Sequence, residues 1–236
     1  TNSIEFTDNA TATGMSNNSF INGNVSKIGN DVFTFPLGDA GYYTPIGISA
    51  PSAITDKFLA RFYRAEPSDR SSLDPSVDHV SSVDYWDLER VTGSSSLTVT
   101  LYWNSLDHYI TSLADLIVSH YDGGTSEWEN MGGLAAGSAS AGTVISTVVF
   151  NTFSPITFGS IAGVNPLPIE LISFNAKPNN NQVDLTWITS SEINNDFFTV
   201  ERSANGFEWT VINKIKGAGN SNTNLQYVDI DKNPLN

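Results

Sequence analysis

"SSLTVTLYWN", residues 95–104, sets Leu97, Val99, Leu101 and Trp103 at every second position, with Thr98, Thr100, Tyr102 and Asn104 between them. Successive side chains of a strand point to opposite faces, so this spacing builds one apolar face and one polar face. The four apolar residues are therefore expected to line a core. The same period recurs in "NDVFTFPLG", "DKFLARFYRAEP", "VDYWDLERV", "ADLIVSHYDG" and "GTVISTVVFNTF", each bounded by Gly, Pro, Asn, Asp or Ser. No stretch carries a capped helical stripe, and a short turn of helix around "SLADL" is the most the pattern allows. The fold class expected is all-β: a β-sandwich-like domain followed by a second, partial sandwich.

The second sandwich begins after "GSIAGVNPLPIELISF". Gly159, Gly163, Asn165, Pro166 and Pro168 interrupt the alternation there, and Pro-x-Pro stiffens a connector. Beyond it, strands are predicted at residues 169–176, 182–189, 197–203, 208–216 and 225–230, and Asn205-Gly206 suits a tight hairpin turn between the third and fourth. Val183, Leu185 and Trp187 fall on one inward face, and Phe198 and Val200 on another. The domains expected are thus residues 26–165 and 166–236. Residues 1–25, rich in Asn, Thr and Ser, read either as the last turns of a β repeat or edge hairpin, or as a loosely ordered extension.

With 236 residues, 39% of them hydrophobic, the chain is long enough to bury a core in each domain. Eleven Lys and Arg oppose 25 Asp and Glu, a net charge of −14 that disfavours nucleic acid and anionic membranes as partners. Residues 1–165 hold 17 acids and 6 bases (net −11), and residues 166–236 hold 8 and 5 (net −3). Low charge offset by Ser, Thr, Asn and Gly is a habit of extracellular β proteins. The absence of Cys removes disulfides, thiol nucleophiles and Cys-based zinc sites. No apolar run is long enough to span a bilayer as a helix, and the opening "TNSIEF" reads as a mature form or a piece of something longer.

Candidate chemistry is sparse. "SSLDPSVDHVSSVDYWDLE" holds Asp74, Asp78, Asp84, Asp87 and Glu89, oxygen ligands of the kind calcium takes, with solvated loop acids as the alternative. Asp84 and Asp87 have opposite strand parity and are expected on opposite faces. Asp229, Asp231 and Asn233 match the first spacings of a calcium loop, although Pro234 stands where that loop needs Gly. Calcium at Asp74 and Asp78, or at Asp229 and Asp231, is the one cofactor considered. No Gly-x-Ser-x-Gly elbow accompanies His79, His108 and His120, and no two histidines sit at metal-ligand spacing. His120 alternates with Leu116 and Val118 and is expected to pack in a strand. Flat rings stack on sugars, and Tyr42, Tyr43 and Trp128, in Gly-rich turns, are the candidate ligand contacts.

"PLPIELISFNAKPNNNQVDLTWITSSEINNDFFTVERSANGFEW" resembles a fibronectin-III-like module common near the C-termini of Bacteroidota proteins exported by the type IX secretion system. The resemblance rests on Pro168, Glu170, Leu171, Phe174, Leu185, Trp187, Ser191, Glu192, Asn195, Phe197, Val200, Glu201, Arg202 and Ser203. "SFINGNVSKIGNDVFTFPLGDAGYYTPIGISAPS" and "DHVSSVDYWDLERVTGSSSLTVTLYWN" resemble the β-rich surface region that often precedes this module. The resemblance implies an extracellular or cell-surface location and brings no catalytic motif. It also implies two further strands after "YVDID" and a sorting domain, so five of seven strands are present. Such a sheet is expected either to have been cut or to be completed by a strand from another chain. The function expected is a non-enzymatic structural or adhesion module. The alternatives are a filament subunit completed by donor-strand exchange, with "NSIEFTD" as donor, and a carbohydrate-binding accessory module of a secreted enzyme. The partners expected are a second copy of the chain, a surface glycan or a surface protein.

Overall fold

The computed structural model describes residues 3–104, 108, 110–153, 155–165, 171–189, 192–206, 208–221 and 223–235. Among the described residues, fifteen strands precede residue 161: β1 (Ile4–Phe6), β2 (Val25–Ile28), β3 (Phe33–Phe35), β4 (Gly38–Asp39), β5 (Tyr42–Tyr43), β6 (Ile46–Ile48), β7 (Lys57–Tyr63), β8 (His79–Val80), β9 (Tyr85–Thr92), β10 (Val99–Trp103), β11 (Leu116–Asp122), β12 (Glu127–Asn130), β13 (Leu134–Gly137), β14 (Gly142–Ile145) and β15 (Pro155–Ser160). Five follow: β16 (Leu171–Asn179), β17 (Gln182–Thr189), β18 (Glu192–Arg202), β19 (Thr210–Ser221) and β20 (Leu225–Asp231). The protein is all-β, as the alternation requires. The segment "SLADL" forms a non-helical turn leading into β11. The contacts divide the chain into two compact units, Thr1–Pro168 and Ile169–Asn236.

In the first unit, one sheet runs β1-β2-β7-β9-β15-β11-β12, with β8 added along β15, and the other runs β13-β14-β10-β6-β3. Strand β10 lies at the centre of the second sheet, and its Leu97-to-Trp103 face is the one that is buried. Phe158 meets Trp86 and Trp103 edge-on, at ring-centroid distances of 5.5 and 6.1 Å. Each such ring or aliphatic side chain removed from water contributes roughly 1.5–3 kcal/mol. Residues 1–25 belong to this unit: Ile4–Phe6 pairs in parallel with Val25–Ile28, and Ile21 bridges Leu37. The segment proposed as a donor strand is therefore already a member of its own sheet.

Strand β11 is buried on both faces, which alternation alone does not require. Leu116, Val118 and His120 face the main core, while Ile117 packs with Val77, Val80 and Trp128 in a second, smaller cluster on the outer side of the sheet. The loop after β7 folds back to form that cover.

The first unit closes on Asn165, fully buried at φ +56°. Its Oδ1 accepts the Thr111 and Ser112 amides, both at 2.7 Å, and its Nδ2 donates to Ser112 O at 2.8 Å. His79 Nε2 donates to the Asn165 carbonyl at 2.7 Å. Asn tolerates this left-handed backbone and supplies both a donor and an acceptor, which explains its place where the strand pattern breaks.

In the second unit, β16-β17-β20 form one sheet and β18-β19 the other. The five expected strands are present, and Gln182–Thr189 matches its expected bounds. The tight two-residue hairpin lies at Asn180-Asn181, where Asn179 pairs with Gln182 and Asn180 has φ +54°. Asn205-Gly206 instead sits in a longer connection from 203 to 209. There Ser203 Oγ accepts the Asn205 and Gly206 amides, and Asn205 Oδ1 accepts the Glu208 amide. Side chains that take the loop's amides hold the strands apart for several residues, so the turn cannot close in two. Pro166, Pro168, Glu170 and Ser191, all part of the expected connector or family pattern, lie outside the described residues.

Asn165→Gly keeps the backbone conformation but strands the Thr111 and Ser112 amides, and is expected to cost the first unit about 2–4 kcal/mol. Asn165→Ala should cost about 1 kcal/mol more, because the methyl group disfavours positive φ. Urea unfolding of the whole chain, followed by tryptophan fluorescence, should show the first unit's transition moving while the second unit's stays in place.

Candidate functional site

The proposed ligand-contact rings are not a common surface. Trp128 is 1% exposed, which corrects its assignment as a surface ring. The Gly-rich turn that suggested exposure is the β11–β12 hairpin before it. Within β12 the alternation turns Trp128 beneath the loop that carries Leu73 and Val77, where its Nε1 donates to Ser68 O at 3.2 Å. Tyr42 and Tyr43 are half-buried on the short β4–β5 ribbon. The Arg64 guanidinium lies 3.7 Å from the Tyr42 ring centroid, covering one ring face. Burial, and then the neighbouring Tyr102, raise the Tyr43 phenol above its ordinary range. A further pair missed by the alternation analysis, Tyr63 and Tyr85, is stacked at 4.8 Å with 12° between planes. These rings face each other, and Arg61 lies 4.8 Å from Tyr63. Each ring thus covers one face of the other, and Asp87 beside them is raised by burial.

The acids proposed for calcium are engaged elsewhere. Asp74 Oδ1 accepts both the amide and the hydroxyl of Ser76, the hydroxyl bond being the main cause of its lowered pKa. Asp78 faces His79 Nδ1 at 2.9 Å. Asp229 and Asp231 lie on strand β20, not in a loop, which corrects the calcium-loop spacing. Alternation places both on the inner side, paired in register with Leu185 and Val183. Asn213 Nδ2 donates to Asp229 at 3.1 Å, and Arg202 Nη1 donates to both oxygens of Asp231 at 2.8 Å. A guanidinium thus stands where a cation would. Among the described residues, no three His, Asp or Glu side chains converge as a metal ion would require.

The three histidines are structural in placement. His108 Nε2 donates to Asp84 Oδ2 at 2.9 Å, with both side chains at most 1% exposed, and the imidazole packs edge-on against Phe158. Asp84 and Asp87 take opposite faces, as their parity predicts. His120 is 2% exposed and packs on Phe150 at 5.2 Å, and burial lowers its pKa against the pull of Asp122. It lines an open basin of about 430 Å³ with Asp74, Asp122 and Glu129. Burial, then Asp122, Asp74 and Glu127, raise the Glu129 carboxyl there.

The most organised polar centre is in the second unit. Glu192 is fully buried and accepts Thr189 Oγ1 at 2.8 Å, Asn195 Nδ2 at 2.8 Å and the Ala218 amide at 2.9 Å. Burial works to raise this carboxyl, but hydrogen bonds from Tyr227, Ala218, Asn195 and Thr189 outweigh it and hold it below the usual range. Tyr227 is pushed up to about 12, first by burial and then by Glu192. One carboxylate thereby joins β17, β18, β19 and β20. Sequence reasoning saw Glu192 and Asn195 only as members of a family pattern, because the donors that make Glu192 a hub come from up to 35 residues away.

Beside this hub a slot of about 390 Å³ opens, lined by Leu171, Phe174, Trp187, Phe198, Val200 and Trp209. Its lining is mostly apolar, with Thr199 and Glu201 at its border. No family model, no curated protein and no solved structure matches the chain.

The Tyr227 shift sets an alkaline limit. A phenol whose folded pKa is raised contributes stability that is complete below about pH 10 and is lost as pH rises towards about 12. Tyr227→Phe should flatten the stability of the second unit across that window in a pH series of urea melts. Glu192→Gln turns an amide against donors already aimed at it and is expected to cost about 2–4 kcal/mol near neutrality.

Proposed function

We propose that this chain is a non-catalytic structural and adhesion module of a bacterial cell-surface protein exported by the type IX secretion system. In this reading the larger sandwich is displayed on a fibronectin-III-like unit. The observation that carries the reading is the role of the residues that bear the family resemblance. Leu185, Trp187 and Val200 form the core of the second unit, and Glu192 and Asn195 form its polar hub. They encode a mount, not a reaction. The buried polar groups of the first unit act in the same way: Asn165 and the Asp84–His108 pair hold loops onto sheets. Lys27, 1% exposed, does likewise, donating to Thr7 O at 2.7 Å and pairing with Asp31 at 2.8 Å.

A chain-specific antibody applied to intact cells of the source bacterium, with and without protease shaving, tests the location. The expected outcome is surface labelling that shaving removes and that disappears when the secretion machinery is disabled. Labelling only after lysis would overturn the proposal, as would turnover by the purified chain of glycoside, ester or peptide substrates.

A further inference from the structure

We propose that the outer face of the β13-β14-β10-β6-β3 sheet is the adhesive surface of the first unit, and that it binds an uncharged polysaccharide lying flat across the strands. This inference rests on the adhesion reading above and names the ligand class of that adhesion.

The first mark is charge. Residues 1–165 carry 17 acids and 6 bases, yet the five strands of this sheet hold no Asp, Glu, Lys, Arg or His. Residues 32–38, 41–55, 91–104 and 131–153, which supply those strands and their flanking turns, are equally free of them. The opposite sheet carries Glu5, Lys57, Arg61, Asp87, Glu89 and Asp122 among its charged residues. A solvated sheet face ordinarily mixes charges of both signs among its outward residues. An anionic polymer is repelled by an overall charge of −14, and a cationic one finds no counter-charge on this face. A neutral partner matches it, because neither side has to strip water from an ion.

The second mark is what the face presents instead. With Leu97, Val99, Leu101 and Trp103 buried, alternation turns Thr98, Thr100 and Tyr102 outward. Register carries that face across the sheet: Thr100 pairs with Gly47 and Ile145, which pair onward with Thr34 and Leu134. Tyr102 begins a second row with Thr143 and Ala136. At about 4.8 Å between strands, the five-residue row is about 19 Å long. Leu134 is 66% exposed and Ile145 38%. Hydroxyls and short apolar groups thus share one uncharged strip.

Tyr102 makes part of that strip a platform. A side chain at Gly47 would begin 3.4 Å from the Tyr102 hydroxyl, and that hydroxyl lies 3.5 Å from Thr34 Oγ1 on β3. The ring therefore leaves β10, crosses β6 over Gly47 and reaches β3, with one face on the glycine and the other turned outward. Tyr43, whose phenol is raised by burial and then by Tyr102, borders the same end of the strip. A sugar ring has an apolar C–H face rimmed by hydroxyls. The C–H face fits the Tyr102 ring, and the hydroxyls find donors and acceptors at Thr34, Thr100 and Thr143.

The strip belongs to the interior of the unit's own topology. β1 and β15, its first and last strands, both lie in the opposite sheet, and Asn165 is tied to His79 of β8 and to Thr111 and Ser112 ahead of β11. Its composition therefore does not depend on what precedes or follows this unit.

The test runs the full chain through affinity gels holding hydroxyethylcellulose, soluble starch or galactomannan, all neutral, or polygalacturonate, which is anionic. At least one neutral polymer should retard the chain, equally in low and high salt, and polygalacturonate should not. Tyr102→Ala and Thr100→Lys should each weaken retardation at least about tenfold, whereas Thr125→Lys on the β11–β12 hairpin should leave it unchanged. Urea melts establish that the variants remain folded. Because the chain has no Cys, Thr100→Cys supplies a single thiol in the row, and the retarding polymer should slow its alkylation at least about fivefold. Retardation by no neutral polymer overturns the proposal, as does retardation that Thr100→Lys leaves intact. So does slow alkylation of the polymer-free chain: if dilution restores it, a second copy is the occupant, and if not, the face is already covered. None of these results alters the cell-surface labelling, so the two readings fail separately.

Discussion

A sheet buries one face only when another layer lies across it, and that requirement organises both units of this chain. In the first unit the two sheets cover each other, and Phe158, Trp86, Trp103 and Leu101 lose essentially all contact with water. The extra loop over Ile117 and Trp128 extends the same logic to the outer face of β11. In the second unit two strands face three, and the inward residues of β16 are left bare. The difference follows from the number of strands on each side, since the local sequence alternates equally well in both.

Burial of this kind constrains polar residues more strictly than apolar ones. Val or Leu is tolerated wherever volume permits, whereas an interior carboxylate or amide must bring its partners with it. Glu192 is stable in the interior because four separate donors converge on it. Asn165 is stable because its amide matches two backbone N–H groups and a carbonyl on the loop of Thr111 and Ser112. Lys27 reaches backbone carbonyls and Asp31 together. Each of these residues joins segments distant in sequence, so each acts on tertiary arrangement more than on local structure. The residues that at first suggest chemistry, the histidines and the paired acids, are used in the same way.

Much of the fold was legible in the chain. Alternation in Leu97 to Trp103, in Leu116 to His120 and in Gln182 to Thr189 placed strands and assigned their faces, and the opposite parity of Asp84 and Asp87 held. The turns were less legible. Asn205-Gly206 resembles a tight turn in isolation, but Ser203 and Asn205 side chains capture the loop's amides, while Asn180-Asn181 makes the tight turn instead. The candidate site was least legible. Trp128 sits after a Gly-rich turn, a local signal for exposure, yet the cover that buries it comes from residues 68–80. Asp229 and Asp231 have the spacing of loop ligands, yet they occupy a strand because β17 lies alongside to pair with them.

By itself, then, the sequence determined the β class, the inward face of the main strands and the net acidity, because periodicity and composition are local quantities that survive any arrangement of the parts. The tertiary structure alone decided which acids are bound and which rings are buried, and that β16 and β18 share an open slot. Those properties depend on what lies opposite each side chain, and the residues opposite come from distant parts of the chain.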